Sequence, residues 1–342
     1  MKKTLPQVSA IIVKYRSEQY LKNCLDSLNK QKEVSLEIIV VDNDKNNVGY
    51  GAGCNKGAKE AKGKYLLFLN PDTVFLGDNL KKAIAYLEKH PKVGVLGPKI
   101  YQNFSKVPQI SCCRFPNPLF SFFIFSPIKS IWPNNPIFTY LVYGQNKKKI
   151  NGVLSVDAVA GAAMIIRKEV FNKIGGFDSN FFLYFEENDL CQRIKKEGFE
   201  IVFFPYTKIV HFGGKSTTNF EKSFSSEITK NPSKTCGIIM KPPRPWKGGV
   251  SSSRGKVPAS RERLRFLLHS SPPLERRGIL KREIKSKLLE AKPNVGQNVK
   301  IINPSIFYFR QSREYFFKKH YGKTLGGLIE KIHKFLEFLA NR

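Results

Sequence analysis

Lys64–Thr73 reads KYLLFLNPDT: five consecutive apolar residues, Tyr65 to Leu69, then a polar turn at Asn70-Pro71-Asp72-Thr73. A short apolar run without polar alternation is the pattern of a strand covered on both faces, as in a largely parallel sheet. Pro71 cannot donate to a ladder, so the strand ends there. Asp72 therefore stands at the carboxyl end of a core strand, where open α/β sheets place their ligands. Taken alone, the stretch reads equally well as an Asx-type turn that merely closes the strand. Its neighbours decide.

Upstream, Val8–Val13 (VSAIIV) is a second buried strand, and Ser17 is placed to cap a helix carrying Leu21, Leu25 and Leu28 on one face. Glu37–Val41 (EIIVV) follows and closes at Asp42-Asn43-Asp44. Strand, helix and strand in this order predict a parallel βαβ unit with a right-handed crossover. Asn47–Gly57 (NVGYGAGCNKG) has glycines at 49, 51, 53 and 57. No strand runs directly into it, which excludes the nicotinamide-dinucleotide fingerprint. A Gly-rich loop opening a helix at about 53–62 still offers backbone N–H groups to a phosphate, and a tight turn is the equal alternative.

Downstream, Asp78 is placed to cap a helix carrying Leu80, Ile84 and Leu87, and Val93–Leu96 with Gly97-Pro98-Lys99 reads as strand and turn. Val156–Ile166 (VDAVAGAAMII) is apolar with small residues, as where backbone approaches a ligand or another element closely. Gly175-Gly176-Phe177-Asp178 and the aromatic run Phe181–Phe185 precede Glu186-Glu187-Asn188-Asp189, which opens a helix that Gly198 ends. Carboxylates at a helix start favour the dipole. Beyond an aromatic run, burial also raises a carboxylate's pKa and makes it a usable base. Strand Ile201–Phe204 and segment Lys208–Phe212 close the pattern at His211.

Length and charge set the limits. A chain of 342 residues buries one large core or two modest ones. Its 58 Lys and Arg against 27 Asp and Glu give +31, of which +18 falls in residues 221–342. That excess implies anionic surroundings: nucleic acid, phosphorylated ligands or an acidic membrane surface. The six cysteines form no CxxC, which points to reduced thiols and a cytoplasmic protein. No apolar stretch follows Met1-Lys2-Lys3 to make a signal peptide, and no run reaches the roughly 18 residues of a membrane helix. Residues 115–150 interleave Phe, Trp and Tyr with prolines beside Lys147, Lys148 and Lys149, the composition of a membrane-interface segment or of a lid packed on the core. Gly237–Lys300 is rich in Pro, Ser, Gly and Arg without helical or strand period, as in disorder.

VSAIIV, VVDN, the N-x-G-Y-x-x-G loop, FLNPD, GGFD, FFLYFEENDL, RIKKEGF and HFGG, in that order, resemble the family 2 glycosyltransferases, above all their rhamnosyltransferase-like branch. The resemblance covers about 8–217 and resumes at Asn303–Gly322, where FRQSREYFFKKHYG is similar to that branch's carboxyl-terminal segment. It implies a GT-A fold, a Rossmann-like α/β architecture with a mostly parallel sheet flanked by helices. The implied layout is a transferase domain at 1–233, a basic insertion at 234–302 and a helical segment at 303–342 that completes the transferase. Position by position, Tyr15 and Asp42 would line the nucleotide base pocket, with Asn43, Gly49 and Asn70 also on the nucleotide-sugar. Asp72 resembles the metal-binding last Asp of the DxD motif, Asn70 replaces its first Asp, and His211 resembles the histidine beside metal or diphosphate. Glu187 falls where the family has its catalytic Asp, one methylene longer here, with Asp189 in reserve.

The implied reaction is inverting transfer of a hexose or rhamnose from a dTDP-, UDP- or GDP-sugar to a glycan or lipid-linked acceptor in cell-surface polysaccharide synthesis. The implied cofactor is Mg²⁺ or Mn²⁺, and attachment to the inner face of the plasma membrane follows from the acceptor. Two other functions compete. The basic insertion reads as a polyanion- or nucleic-acid-binding arm, although Trp246 and Phe266 are its only aromatics in 237–300, too sparse for base stacking. The Glu-Glu departure also permits an inactive transferase-like scaffold.

Overall fold

The computed structural model describes residues 5–117, 152–213 and 304–340. All of them belong to one compact unit, Met1–Pro245 with Asn303–Arg342. Most of the aromatic-basic stretch and all of the basic insertion, with its expected boundaries near 233 and 303, lie outside the described residues.

The run that opens the sequence reading is β3 (Tyr65–Leu69), and each of its five residues is fully buried. Tyr65, Leu67 and Leu69 enter one apolar cluster, while Leu66 and Phe68 enter a second on the other face of the sheet. A strand that buries both faces can contain no polar alternation, and each such Leu or Phe contributes about 1.5–3 kcal/mol. β3 pairs in parallel with β1 (Val8–Lys14), which pairs in parallel with β2 (Leu36–Asp42). Helix α1 (Glu18–Asn29) makes the crossover between β1 and β2, as the βαβ reading predicts. Helix α2 (Tyr50–Glu60) begins a turn earlier than its glycines suggest, with Gly49 as its N-cap residue.

Downstream come β4 (Thr73–Phe75), α3 (Leu80–Lys89), β5 (Val93–Tyr101), β6 (Cys112–Cys113), β7 (Leu154–Ser155), β8 (Ala158–Val159) and β9 (Ala163–Arg167). Then follow α4 (Lys168–Lys173), α5 (Glu186–Lys196) and β10 (Glu200–His211). The sheet order is β2-β1-β3-β9-β5-β10-β4, with β7 beside β10. Five of the seven path strands run one way; β9 and β4 run against them. The sheet is thus mostly parallel and mixed. Helices α1 and α3 cover one face, and α2, α4 and α5 the other.

Several local readings change. The small-residue segment Val156–Ile166 supplies β8 and most of β9, and β9 inserts antiparallel between β3 and β5. Gly97-Pro98-Lys99 makes no turn: β5 continues to Tyr101, and its pairing with β10 absorbs the irregularity through a register shift between Phe204 and Lys208. The N-cap position of α3 is Asn79, not Asp78, and Ser17 at the start of α1 makes no side-chain cap bond.

Two carboxyl-terminal helices, α6 (Pro304–Tyr321) and α7 (Lys323–Ala340), pack as a hairpin. Gly322 turns the chain at φ +83°. At Gly326 a Cβ would lie 2.6 Å from the Lys318 nitrogen, so only glycine permits this crossing. A buried Arg313–Glu330 pair (3.1 Å) ties the helices together. Phe316, Phe317 and Ile329 then meet Phe181 and Phe185 in a third apolar cluster.

Candidate active site

A cavity of about 410 Å³ opens at the carboxyl ends of β1 and β3. Of the residues singled out above, Tyr15, Asn43, Gly49, Asn70, Asp72, Glu187 and His211 line it. Asp42 and Asp189 do not. Asp42 is an exposed strand end held by Lys14 at 3.3 Å, while the next residue, Asn43, turns inward and is 1 % exposed. Side chains alternate across a strand end, so adjacent positions cannot both face the cavity. Asp189 lies two residues beyond Glu187 on α5, about 200° round the helix and away from the cavity.

One end of the cavity is built by backbone pairing. β4 runs antiparallel to β10 with Thr73 opposite His211, which brings Asp72 and the imidazole together across 139 residues of sequence. The Phe212 N–H donates to the Asp72 carbonyl (3.1 Å), and the Asn70 N–H donates to Ala162 on the other side (2.9 Å). His211 Nε2 stands 3.4 Å from Asp72 Oδ1 and 3.3 Å from Asn70 Nδ2. Its Nδ1 lies 3.2 Å from Gln109 Oε1, an acceptor; in the tautomer with the proton on Nδ1, the Nε2 lone pair faces Asp72. A carboxylate oxygen and an imidazole lone pair facing one another suit a shared cation. Among the described residues no group of three or more His, Cys, Asp or Glu could enclose a metal by itself. The donor set fits a hard divalent ion that takes its remaining oxygens from ligand phosphates and water.

Another part of the lining is built by side chains and by strained backbone. Tyr184 (φ +70°) and Phe185 (φ +67°) both adopt the left-handed conformation just before α5. This is costly for aromatic residues and persists only where the surroundings enforce it. The enforcing contacts come from α6: Phe309 against Tyr184 and Phe185, Phe316 against Phe185, and Ser312 Oγ donating to the Leu183 carbonyl (2.8 Å). The turn delivers Glu186 and Glu187 to the cavity. Burial pushes both carboxyls above their usual range, Glu186 furthest because the charge of Glu187 adds to burial. Glu186 Oε2 is buried without a hydrogen-bond partner. Asn188 Nδ2 donates to Glu187 Oε1 (3.2 Å). Gly161 packs beside Glu187, whose Cβ is 3.5 Å from where a Cβ on Gly161 would stand, and Tyr50 Oη donates to the Gly161 carbonyl (2.9 Å).

Asp189 has another partner set. Burial alone would raise its carboxyl, but hydrogen bonds from His320 (2.8 Å) and Lys319 (2.6 Å), with Arg193 (2.8 Å), hold it at about 2. It is a permanently charged anchor for α6.

The Gly-rich loop closes a third side. Gly49 (φ +92°) lies so close to Phe182 that a Cβ would meet the Phe182 carbonyl oxygen at 2.5 Å. Asn43 Nδ2 donates to the Gly49 carbonyl (3.2 Å), leaving Asn43 Oδ1 buried and unbonded. Phe182 stacks on Tyr308 (ring centroids 4.2 Å apart), and with Tyr15 these rings form an aromatic wall. Sequence reasoning missed Ser305 and Tyr308, which α6 supplies, and Gln109, which orients His211. No local signal marks any of them; only the resemblance of 303–322 to a transferase carboxyl-terminal segment pointed to α6 at all.

Residues 43–175 match the family model "Glycosyl transferase family 2", and residues 145–215 match "N-terminal domain of galactosyltransferase". The chain is 29% identical over 244 residues to rhamnosyltransferase WbbL of Escherichia coli K12, spanning 62% of this chain and 86% of that protein. It is 24% identical over 239 residues to the N-acetylglucosaminyl-diphospho-decaprenol L-rhamnosyltransferase of Mycobacterium tuberculosis H37Rv, spanning 60% of this chain and 76% of that one. Among solved structures it is similar to GalNAc-T7 with UDP, GalNAc and Mn²⁺ (TM-score 0.48, 15% identity, 61% of this chain and 44% of that one).

Proposed function

This chain belongs to the family 2 glycosyltransferases, with rhamnosyltransferases among its relatives, and from that membership we propose that its cavity performs inverting sugar transfer from a nucleotide-diphosphate sugar. One observation carries the reading: a single cavity is lined both by the Asp72–His211 pair and by half-buried Glu187, whose carboxyl is raised by desolvation.

In this reaction Tyr15, Phe182 and Tyr308 offer flat apolar surface to the nucleotide, and the Asn43 Oδ1 atom offers an acceptor. Asp72 and His211 would hold a divalent cation, which when bound neutralises charge on the departing diphosphate. Glu187 takes the proton from an acceptor hydroxyl as that oxygen bonds the anomeric carbon. The bond from that carbon to the diphosphate oxygen breaks in the same displacement, and the nucleoside diphosphate leaves with the electron pair. Attack from the opposite face inverts the configuration. A lipid-linked acceptor at the inner leaflet fits the name of the mycobacterial relative, whose substrate is a decaprenol diphosphate sugar. Among the described residues no helix is long and apolar enough to cross a membrane.

Glu187→Gln keeps the shape of the side chain and removes its basicity. The expected result is retained nucleotide-sugar binding by thermal shift, with transfer reduced by about 10²–10⁴-fold. Transfer at the parent rate in this variant assigns the base to another residue.

A further inference from the structure

Helix α7 has two faces of different character. Gly326, Ile329, Glu330 and His333 are buried, the glycine against the Lys318 backbone, Glu330 on Arg313 and His333 edge-on to Phe317 (5.6 Å). Turned away from that packing, Leu325, Leu328, Ile332 and Phe335 are 45, 54, 39 and 60% exposed. Their spacing of three, four and three residues places them in one strip about 80° wide. Lys331 and Lys334, both exposed, follow round the helix from the strip. Four large apolar side chains in one continuous exposed strip are more than the scattered surface residues of an ordinary soluble face.

We propose that this face of α7 lies on an anionic lipid bilayer, its apolar strip at the boundary between headgroups and acyl chains and Lys331 and Lys334 at the level of the phosphates. Charge selects the occupant. The whole chain carries +31, and residues 303–342 hold eight basic against three acidic side chains. A second copy seated on the same face would bring lysine against lysine, whereas an anionic surface neutralises them. The helix is not apolar enough to cross a membrane. A strip of this width beside lysines is what lies in the plane of an interface. This deepens the lipid-linked-acceptor reading. It assigns the docking surface to α7, whose partner α6 supplies Ser305 and Tyr308 to the cavity.

The test is co-sedimentation of the full-length protein with vesicles of phosphatidylcholine alone and of phosphatidylcholine mixed equally with phosphatidylglycerol. Strong binding is expected only to the mixed vesicles. Leu328→Glu with Phe335→Glu should abolish it, and Lys331→Ala with Lys334→Ala should weaken it about twenty-five-fold, from roughly fivefold per basic residue at an anionic surface. Transfer to a soluble acceptor should be unchanged in both variants. Equal binding to the two vesicle types overturns the proposal, as does parent-like binding of Leu328→Glu with Phe335→Glu. A parent dimer that this variant splits, read by sedimentation equilibrium, also overturns it and gives the face to a second copy. Binding requires no turnover, so failed docking leaves the transferase reading standing, and a protein that docks without transferring sugar defeats that reading alone.

Discussion

The two ends of the cavity are held by different physics. Asp72 and His211 are brought together by main-chain hydrogen bonds between β4 and β10, and the Gln109 and Asn70 side chains only orient the imidazole within that frame. Glu187 sits after two left-handed aromatic residues, and that backbone is enforced by side chains of a helix more than a hundred residues away. Substitution at the first end should therefore be chemical in its consequences. Substitution around the second should act through geometry and stability together.

The largest expected effect separates the two cases most clearly. Asp72→Ala removes a carboxylate from a scaffold that the backbone maintains, so transfer should fall by about a thousandfold or more, several kcal/mol of lost charge stabilisation. The melting midpoint without ligand should stay where it is. The gain in midpoint on adding nucleoside diphosphate with Mn²⁺ should disappear. A large drop in the ligand-free midpoint would mean that the Asp72 side chain, and not strand pairing, organises this end.

Asp189 tests the other end. Its carboxyl is held at about 2 against an ordinary 3.8, worth about 2 kcal/mol of folding free energy by linkage. A carboxyl with a depressed value stabilises above its unfolded value and loses that contribution as pH falls. Asp189→Asn should therefore lower stability by about 2 kcal/mol at neutral pH, with the difference shrinking as pH drops from about 4 toward 2. Because His320 and Lys319 ride on α6, transfer should fall moderately while affinity for the donor's nucleotide holds. A parent-like melt with abolished transfer would instead make Asp189 a participant in the chemistry.

The same contrast explains what could be read in the sequence. β3 and β1 were legible because two-sided burial forces an unbroken apolar run; β2, a partly exposed edge strand, was legible from its β-branched run, and the βαβ order fixes their direction. Asp72 was legible because Pro71 ends the strand beside it. The antiparallel insertion of β9 was not, since Ala163–Arg167 reads the same in either direction and only the neighbours β3 and β5 determine it. Asp42 and Asp189 looked as suitable as Asn43 and Glu187 because type and spacing carry no information on which way a strand end or helix start is turned. Tyr308 and Gln109 reach the cavity through tertiary contacts that leave no trace in local pattern.

The smallest expected effect is a shift of a pH profile, and it concerns Glu187 alone. A base must be ionised to accept the acceptor's proton, so kcat/KM falls on the acid side of the free enzyme's value for that group. Burial raises the Glu187 carboxyl above the ordinary 4.5, and Glu186, buried beside it with an unbonded oxygen, cannot ionise together with it at low cost. The acid limb should therefore lie above 4.5 and end at a plateau near neutrality. Glu186 is raised furthest and is still protonated as Glu187 ionises, so Glu186→Gln removes no charge at that step and the limb should stay close to the parent's, above that of a solvated glutamate. No displacement should follow Asp189→Asn either, whose carboxylate is ionised throughout the range. A limb at or below 4.5 in the parent would place the titrating carboxylate in water, not in this wall. A limb that moves down with Glu186→Gln would show that Glu186 ionises first, and one that moves with Asp189→Asn would show that the α6 anchor sets the pH at which the site works.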